Sequence, residues 1–373
     1  SEPNLVPYFR VIAVCLFLDL FFIVITTLLR REMKFGRVAA INIVGASTGA
    51  VATISLALLG FSYMSFAWAW LIGSTLAATV AVTLQPHLWM FKPSFRNWRA
   101  MVSFGGYNGA IAVLSRTFEA LPLLLLGRLV SPNATALFNR TMMIATIPDK
   151  LVLAGVTSVV LPAFAAETRE GGDLKKPYLT ALSYITALHW PALLLIVVLA
   201  FPAVEIVLGP QWIEAVPLVQ IVAIAFLFSF SFELNYPVLV AMGAIRDLFI
   251  RALIIFPASG LIMCAAIYLG GLRAVAASLL FTIPFQAWVS LSFVKRRLGL
   301  SWWDIALALW KSAAVALITI GPVLAAILFL GSGFAISPLL GIAAGLLAGV
   351  SWGVALVLTR HPLFDEIAKP FPL

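Results

Sequence analysis

Residues 192–200 read ALLLIVVLA and residues 323–330 read VLAAILFL, and neither run contains a charged residue. Apolar and polar residues do not alternate in these runs, so they do not resemble the strands of a transmembrane β-barrel. A hydrocarbon core roughly 30 Å thick is crossed by about 20 apolar residues in an α-helix. The two runs therefore indicate membrane-spanning helices.

The composition extends this conclusion to the whole chain. Hydrophobic residues are 62% and charged residues 10% of the 373 positions, against about 45–50% and about 25% in soluble globular proteins. With short connectors, a chain of this length holds about ten to twelve helical spans. The predicted fold class is an all-α polytopic membrane protein. Cys15 and Cys264 lie in separate apolar runs and indicate neither a disulfide framework nor a metal site.

Charged residues, prolines and glycines divide the chain into eleven predicted helices. Their approximate limits are 9–29, 38–58, 62–85, 100–127, 134–163, 178–201, 215–241, 249–269, 272–294, 305–330 and 335–359. Of the 24 basic residues, 18 fall on one side, in alternate connectors and the tail, and 3 fall on the other. The positive-inside rule makes the basic connectors cytoplasmic. The net charge of +9 is thereby explained by topology, which argues against a nucleic-acid partner.

The start of the chain bears on how much of the fold is present. Residues 1–4 read SEPN, with neither an initiator Met nor the basic start of a signal peptide. The first predicted helix runs from outside to inside. We therefore expect an upstream part with an odd number of helices.

Several short segments carry a resemblance to a known family. They are, in chain order, LLRREMKF at 28–35, LGRLV at 126–130, ALF at 136–138, VLPA at 160–163, VLGPQW at 207–212 and AMG at 241–243. In order and spacing, these segments over roughly residues 9–295 resemble the polysaccharide transporter family. That family of oligosaccharide flippases belongs to the multidrug/oligosaccharidyl-lipid/polysaccharide exporter superfamily. Leu137-Phe138 departs from the Gly-Tyr that the family usually has there.

The resemblance implies two six-helix lobes around a central cavity. On this mapping, residues 1–99 hold the last three helices of the N-terminal lobe and residues 100–298 hold the six-helix C-terminal lobe. Residues 299–373 hold two additional transmembrane helices and a cytoplasmic tail, and three upstream helices are missing from the first lobe. The implied location is the bacterial inner membrane. The implied partners are the lipid bilayer, a polyprenyl-diphosphate-linked oligosaccharide and polysaccharide polymerase or export components.

Charges inside predicted helices are the candidate site residues, because a charge at mid-bilayer costs about 2.5–3.5 kcal/mol on insertion scales. Arg116, Arg140 and Lys150 are predicted to line a cationic cavity for a diphosphate-linked sugar, since a guanidinium fork matches phosphate oxygens and an ammonium supplies a mobile charge. Alternatively, Arg116–Glu119 and Asp149–Lys150 are neutral structural pairs. Arg140 has no acidic neighbour within a helical turn, so it is the strongest single candidate.

Four acidic residues are candidates for coupling a cation or lining a cavity: Asp19, Glu119, Asp149 and Glu233. Asp19 and Glu233 could instead satisfy contacts between helices. Trp212, in a predicted outer loop, could stack on a sugar or anchor the chain at the membrane interface.

The sequence indicates a transporter rather than an enzyme. It contains no HExxH, CxxC, nucleotide-binding glycine loop or paired-carboxylate motif, so it assigns no catalytic residue, metal ligand or cofactor. The predicted activity is the flipping of a lipid-linked oligosaccharide by alternating access, for exopolysaccharide or lipopolysaccharide synthesis. One alternative is a multidrug/cation antiporter of the same fold, which favours an acidic cavity. A second is an integral-membrane transferase, which requires histidines or clustered carboxylates at a membrane surface.

Overall fold

A computed structural model describes residues 6–85, 98–153, 160, 164, 167–168, 172–329 and 336–368. The chain divides into two compact units, Ser1–Trp98 and Arg99–Leu373. Every regular element in the described ranges is helical. Long apolar runs favour this outcome because a helix satisfies its own backbone hydrogen bonds where no water is present.

The first unit contains three long helices, α1 Val6–Arg31, α2 Phe35–Leu58 and α3 Met64–Leu84. Small residues bring α2 and α3 close together. A Cβ atom on Gly73 would lie 2.9 Å from the carbonyl oxygen of Gly45, and one on Gly45 would lie 3.0 Å from Cβ of Ala77. Backbones that approach so closely gain van der Waals contact, which drives helix association in lipid.

The remaining helices follow in the second unit. They are α4 Trp98–Leu129, α5 Pro132–Ala145, a π-helical turn Asp149–Leu153, α6 Lys175–Val198, α7 Ala200–Leu208, a 3-10 turn Pro210–Ala215, α8 Val216–Phe226, α9 Phe230–Ala241, α10 Ile245–Leu298, α11 Trp302–Phe329, α12 Pro338–Leu358 and α13 Pro362–Ala368. Ser131 caps α5 because its hydroxyl oxygen accepts the backbone N–H of Ala134 at 3.0 Å.

Helix α10 is two limbs joined at a sharp break. Gly270 has φ −159° and ψ 17°, and Gly271 has φ +58° and ψ −141°. The second combination is open to glycine and is strained for residues with a Cβ atom. The limbs, residues 245–269 and 272–298, correspond to two of the predicted spans.

The core of the second unit lies where α4, α5, α6, α8 and α10 meet. Buried side chains at this junction include Leu126, Phe138, Leu193, Val222 and Ile283. Many large apolar side chains point outward instead, among them Leu124, Leu261, Phe281 and Leu346. Such a surface suits contact with lipid chains rather than water.

Eight helices in the described ranges are long and apolar enough to cross a membrane: α1, α2, α3, α4 from Met101 onward, α6, α10, α11 and α12. The segments Pro210–Phe226 and Phe230–Ala241 form a ninth such span if counted together, bent by 41°. The chain is therefore a multi-pass membrane protein, as predicted. The predicted number of about eleven spans is not confirmed.

The differences in span limits have local causes. The predicted helix 215–241 breaks at residues 227–229, where Nε1 of Trp190 donates to the carbonyl oxygen of Leu227 at 2.7 Å. That bond satisfies a backbone group which the interrupted helix releases. The predicted helix 134–163 is interrupted after Ala145, and residues 154–159 and 161–163 lie outside the described ranges.

A buried histidine ties the last helix to the second unit. Nδ1 of His361 accepts the backbone N–H of Leu363 at 3.2 Å, which caps α13. Its Nε2 lies 3.0 Å from Oγ of Ser183 and 3.2 Å from Oγ of Ser312. Burial and the nearby charge of Lys311 lower the pKa of His361 to about 4. The histidine is therefore neutral near pH 7, as its accepting Nδ1 requires.

Candidate functional site

Arg116 and Glu119 lie one turn apart on α4 and pair with each other. Nη1 of Arg116 donates to Oε2 of Glu119 at 3.0 Å. This i, i+3 pairing was predicted from the spacing and is confirmed. The Arg116 side chain is 84% exposed, so its charge remains open to a ligand at the surface of the second unit.

Arg140 on α5 lies beside an aromatic ring. Its guanidinium carbon is 5.3 Å from the ring centroid of Trp212 in the Pro210–Ala215 turn, and its Nη1 is 3.7 Å from Sδ of Met143. The distance to Trp212 is within the range of a cation–π contact. Arg140 forms no salt bridge with any carboxylate in the described ranges. Its positive charge is therefore uncompensated there.

Lys150 is exposed, and its neighbour Asp149 pairs with a different residue. Nε2 of His189 and Oδ1 of Asp149 are in direct contact, and Oγ of Ser229 donates to the same oxygen at 3.3 Å. The Asp149–Lys150 pair considered above is not among the salt bridges of the described residues. Asp149 instead joins three separate helical segments.

Two members of the Asp149–His189–Ser229 cluster lie in irregular segments, and the third lies near a proline inside a continuous helix. Asp149 begins the π-helical turn, His189 precedes Pro191 within α6, and Ser229 lies in the break between α8 and α9. The His189 side chain is fully buried, and its Nδ1 has no hydrogen-bond partner among the described atoms. Inside a membrane protein, such a group is a candidate for a functional proton relay.

Sequence reasoning missed this cluster. Asp149 and His189 are 40 residues apart, and the three histidines are scattered along the chain. The available signal was indirect: Pro148 and Pro191 mark positions where a helix lacks a backbone hydrogen-bond donor. Groups beside helix breaks often line functional sites in membrane proteins.

Asp19 lines a cavity of about 370 Å³ between α1, α2 and α3. Its Oδ1 accepts a hydrogen bond from Oγ of Ser74 at 2.9 Å, and Asn42 lies on the same cavity wall. Asp19 thus satisfies a contact between helices and also faces an open space. The side chain of Glu233 lies outside the described part of the structure.

A second cavity, of about 460 Å³, lies within the second unit between α4, α5, α9 and the two limbs of α10. Arg251 lies on its wall and donates from Nη1 to Oγ of Ser290 at 3.1 Å. Nearby, Nε2 of Gln286 donates to Oγ of Ser259 at 3.0 Å. These two hydrogen bonds join the limbs of α10 across the cavity wall.

The sequence count places Arg251 among the 18 basic residues on the cytoplasmic side, at the edge of a connector, whereas the structure places it in α10 and on the wall of this cavity. A sequence signal for the wall does exist. Polar residues recur every four positions on the second limb, at Thr282, Gln286 and Ser290. That spacing places them on one helix face.

The fold and these sites define a class of protein: a multi-pass membrane protein with ionisable groups on its spans, as in transporters. Among the described residues, no group of three or more His, Cys, Asp or Glu side chains is arranged to hold a metal ion. The sequence profile of the family described as "Polysaccharide biosynthesis protein" matches residues 1–217. Because this match covers more than half of the chain, the protein belongs to that family, and the predicted resemblance is confirmed.

Three relatives illustrate the family. The teichuronic acid biosynthesis protein TuaB of Bacillus subtilis (strain 168) is 26% identical over 181 residues, 48% of this chain and 38% of TuaB. The succinoglycan biosynthesis transport protein ExoT of Rhizobium meliloti (strain 1021) is 25% identical over 200 residues, 53% of this chain and 40% of ExoT. The lipopolysaccharide biosynthesis protein WzxC of Escherichia coli (strain K12) is 24% identical over 236 residues, 60% of this chain and 46% of WzxC. The matched region thus spans less than half the length of each relative.

Proposed function

We propose that this protein flips a lipid-linked oligosaccharide across the bacterial inner membrane during synthesis of an exopolysaccharide or lipopolysaccharide. Family membership supports this proposal, as do relatives whose names include a transport protein and proteins of polysaccharide synthesis. The protein acts as a transporter without catalytic chemistry of its own. It alternates between inward-open and outward-open states, as inverted-repeat transporters do.

The observation that carries the proposal is the Arg140–Trp212 contact. A guanidinium with no described carboxylate partner is free to bind phosphate oxygens through its planar fork. The half-buried indole of Trp212 lies beside this guanidinium, and an aromatic side chain of this kind can pack against a sugar ring. A diphosphate-linked sugar presents both of these chemical groups to the protein.

Two further cationic side chains are assigned to the same function. Arg116 and Lys150 are exposed on helical segments of the second unit, and we assign them to the path of the anionic head group. Polysaccharide polymerase or export components are the proposed protein partners, since the flipped oligosaccharide is their starting material. Asp19, Asp149 and Glu233 remain candidates for the coupling cation.

The charge distribution favours an anionic substrate over the cationic drug of a multidrug antiporter. Glu119 and Asp149, the two acidic side chains on the α4–α5 region, are already paired with Arg116 and His189. Arg140 and Lys150 have no such partner among the described residues. The region therefore presents net positive charge, which attracts phosphate.

The test is export of polymer by an Arg140 variant in a strain lacking the gene. Arg140→Ala should leave the amount of protein in the membrane unchanged and abolish surface polymer. Arg140→Lys should restore export only partly, because the ammonium keeps the charge and loses the bidentate fork.

A matched control is Arg273→Ala, which removes an exposed arginine at the start of the second limb of α10. This variant should export normally. Normal export from Arg140→Ala at normal abundance would refute the role of Arg140 in binding phosphate. Loss of the protein from the membrane would instead show that Arg140 is structural.

A further inference from the structure

The cavity between α4, α5, α9 and α10 contains a partly buried positive charge, that of Arg251, which no described carboxylate neutralises. Arg251 forms no salt bridge in the described part of the chain. Glu119 is the one acidic side chain that lines the cavity among those the structure describes, and its carboxylate is held by Arg116. A desolvated cation of this kind requires an anionic partner for full stabilisation.

Two buried polar atoms on the cavity wall lack hydrogen-bond partners among the described atoms. They are Nε of Arg251 and Oγ1 of Thr282. Such orphaned atoms are rare in folded proteins, since each one retains the full cost of its desolvation. Both are donors, and the Arg251 guanidinium is also anchored to Ser290, which fixes its position. Donors and a fixed cation together match the oxygens of a phosphate group.

The rest of the cavity has a different chemistry. Its lining includes four phenylalanines, and two of them, Phe118 and Phe256, are stacked with ring centroids 6.1 Å apart. The others are Phe138 and Phe232. A small inorganic anion would leave these rings without contacts, whereas a hydrocarbon chain would pack against them.

We propose that this cavity binds an anionic amphiphile, with its phosphate on Arg251 and its hydrocarbon chain against the phenylalanine rings. Two sources share this chemistry, a phospholipid of the bilayer and a polyprenyl-phosphate carrier. The site lies within the second unit and is separate from the Arg140–Trp212 contact. Its existence does not depend on flipping activity, because binding is measured on the isolated protein.

The experiment is a binding titration of the purified protein in neutral detergent. Native mass spectrometry measures the amount of bound ligand at each concentration. The probes are polyprenyl phosphate, phosphatidic acid, uncharged polyprenol and inorganic phosphate. We expect at least one phosphorylated lipid to bind more tightly than both polyprenol and inorganic phosphate. The phosphorylated lipid that binds more tightly identifies the natural ligand as a phospholipid or a polyprenyl-phosphate carrier. Equal binding of all four probes, or binding of none, would overturn the proposal.

The key variant is Arg251→Gln, compared with Arg246→Gln as its matched control. Arg246 is an exposed arginine on the same helix, five positions earlier, and does not line the cavity. Arg251→Gln should raise the dissociation constant of the phosphorylated lipid at least tenfold, equivalent to about 1.4 kcal/mol, and Arg246→Gln should leave it unchanged. Equal affinities in the two variants would contradict the site.

A second variant covers the case in which Arg251→Gln does not fold. Ile255 lies on the cavity wall one turn beyond Arg251, so Ile255→Phe fills the space while the charge is retained. This variant should fold and lose lipid binding. Unchanged binding of the lipid by Ile255→Phe would also refute the proposal.

Discussion

Replacing His189 by leucine should leave the partly buried carboxylate of Asp149 without its main partner. Leaving a charged acceptor without its hydrogen-bond partner in a protein interior costs about 3 kcal/mol or more in general. The Asp149 side chain is 21% exposed and keeps the hydroxyl of Ser229 at 3.3 Å. These two features reduce the expected loss of unfolding free energy to about 2–3 kcal/mol.

Asp149→Asn should lower the free energy of unfolding by a smaller amount, because the amide oxygen still accepts a hydrogen bond from Nε2 of His189. The exchange replaces a charge-assisted bond with a neutral one, a difference of about 1 kcal/mol. In the double variant, His189→Leu no longer leaves a charge unpaired. The two substitutions should therefore show a coupling energy of about 1–2 kcal/mol in a double-mutant cycle.

The assay is equilibrium unfolding in mixed micelles, applied to the wild type, both single variants and the double variant. Each single variant serves as the reference for the other. The two substitutions differ because removing the imidazole leaves a charge without its partner, whereas neutralising the acid does not. The reasoning is refuted if His189→Leu costs no more than Asp149→Asn, or if the coupling energy is below about 0.5 kcal/mol.

Two other predictions concern stability. The folded-state pKa of His361, about 4, lies below its ordinary value of 6.5, so the unfolded chain binds the proton first as the pH falls. The apparent melting temperature should hence be constant above about pH 6.5 and decline toward pH 4. His361→Asn should flatten this decline, and an unchanged slope in that variant would contradict the assignment. Gly73→Ala should destabilise the first unit by about 1–3 kcal/mol, because its Cβ meets the Gly45 carbonyl oxygen. Gly36→Ala, whose Cβ would meet no described atom within 4 Å, should not destabilise the first unit and should gain up to about 1 kcal/mol from helix propensity. Equal losses in the two variants would refute the close packing of α2 and α3.

Sequence reasoning succeeded where the signal is local or cumulative. Composition alone indicates a helical membrane protein, because the bilayer restricts spanning chains to structures that satisfy every backbone group internally. The family was recognised from short segments in a particular order. The Arg116–Glu119 pair was also predictable, since residues three positions apart on a helix are neighbours wherever the helix lies.

Span limits were less predictable. The glycines at 270 and 271 were correctly interpreted as a boundary between apolar segments, and the structure shows them as a break within α10. The break at residues 227–229 was not predicted, because a distant indole, that of Trp190, satisfies the carbonyl group there. Hydropathy cannot distinguish a continuous span from one whose interruption is stabilised by a neighbouring helix.

By itself, then, the sequence determined the class, the family and the charged residues whose placement in the membrane carries a free-energy cost. Where their partners are distant in the sequence, only the tertiary structure decided them. It paired Asp149 with His189 across 40 residues and Arg251 with Ser290 across 39. The physical reason is that a charge in a low-dielectric interior is stabilised by whatever lies within a few ångströms. Those neighbours depend on how helices pack, which the order of residues along one helix does not specify.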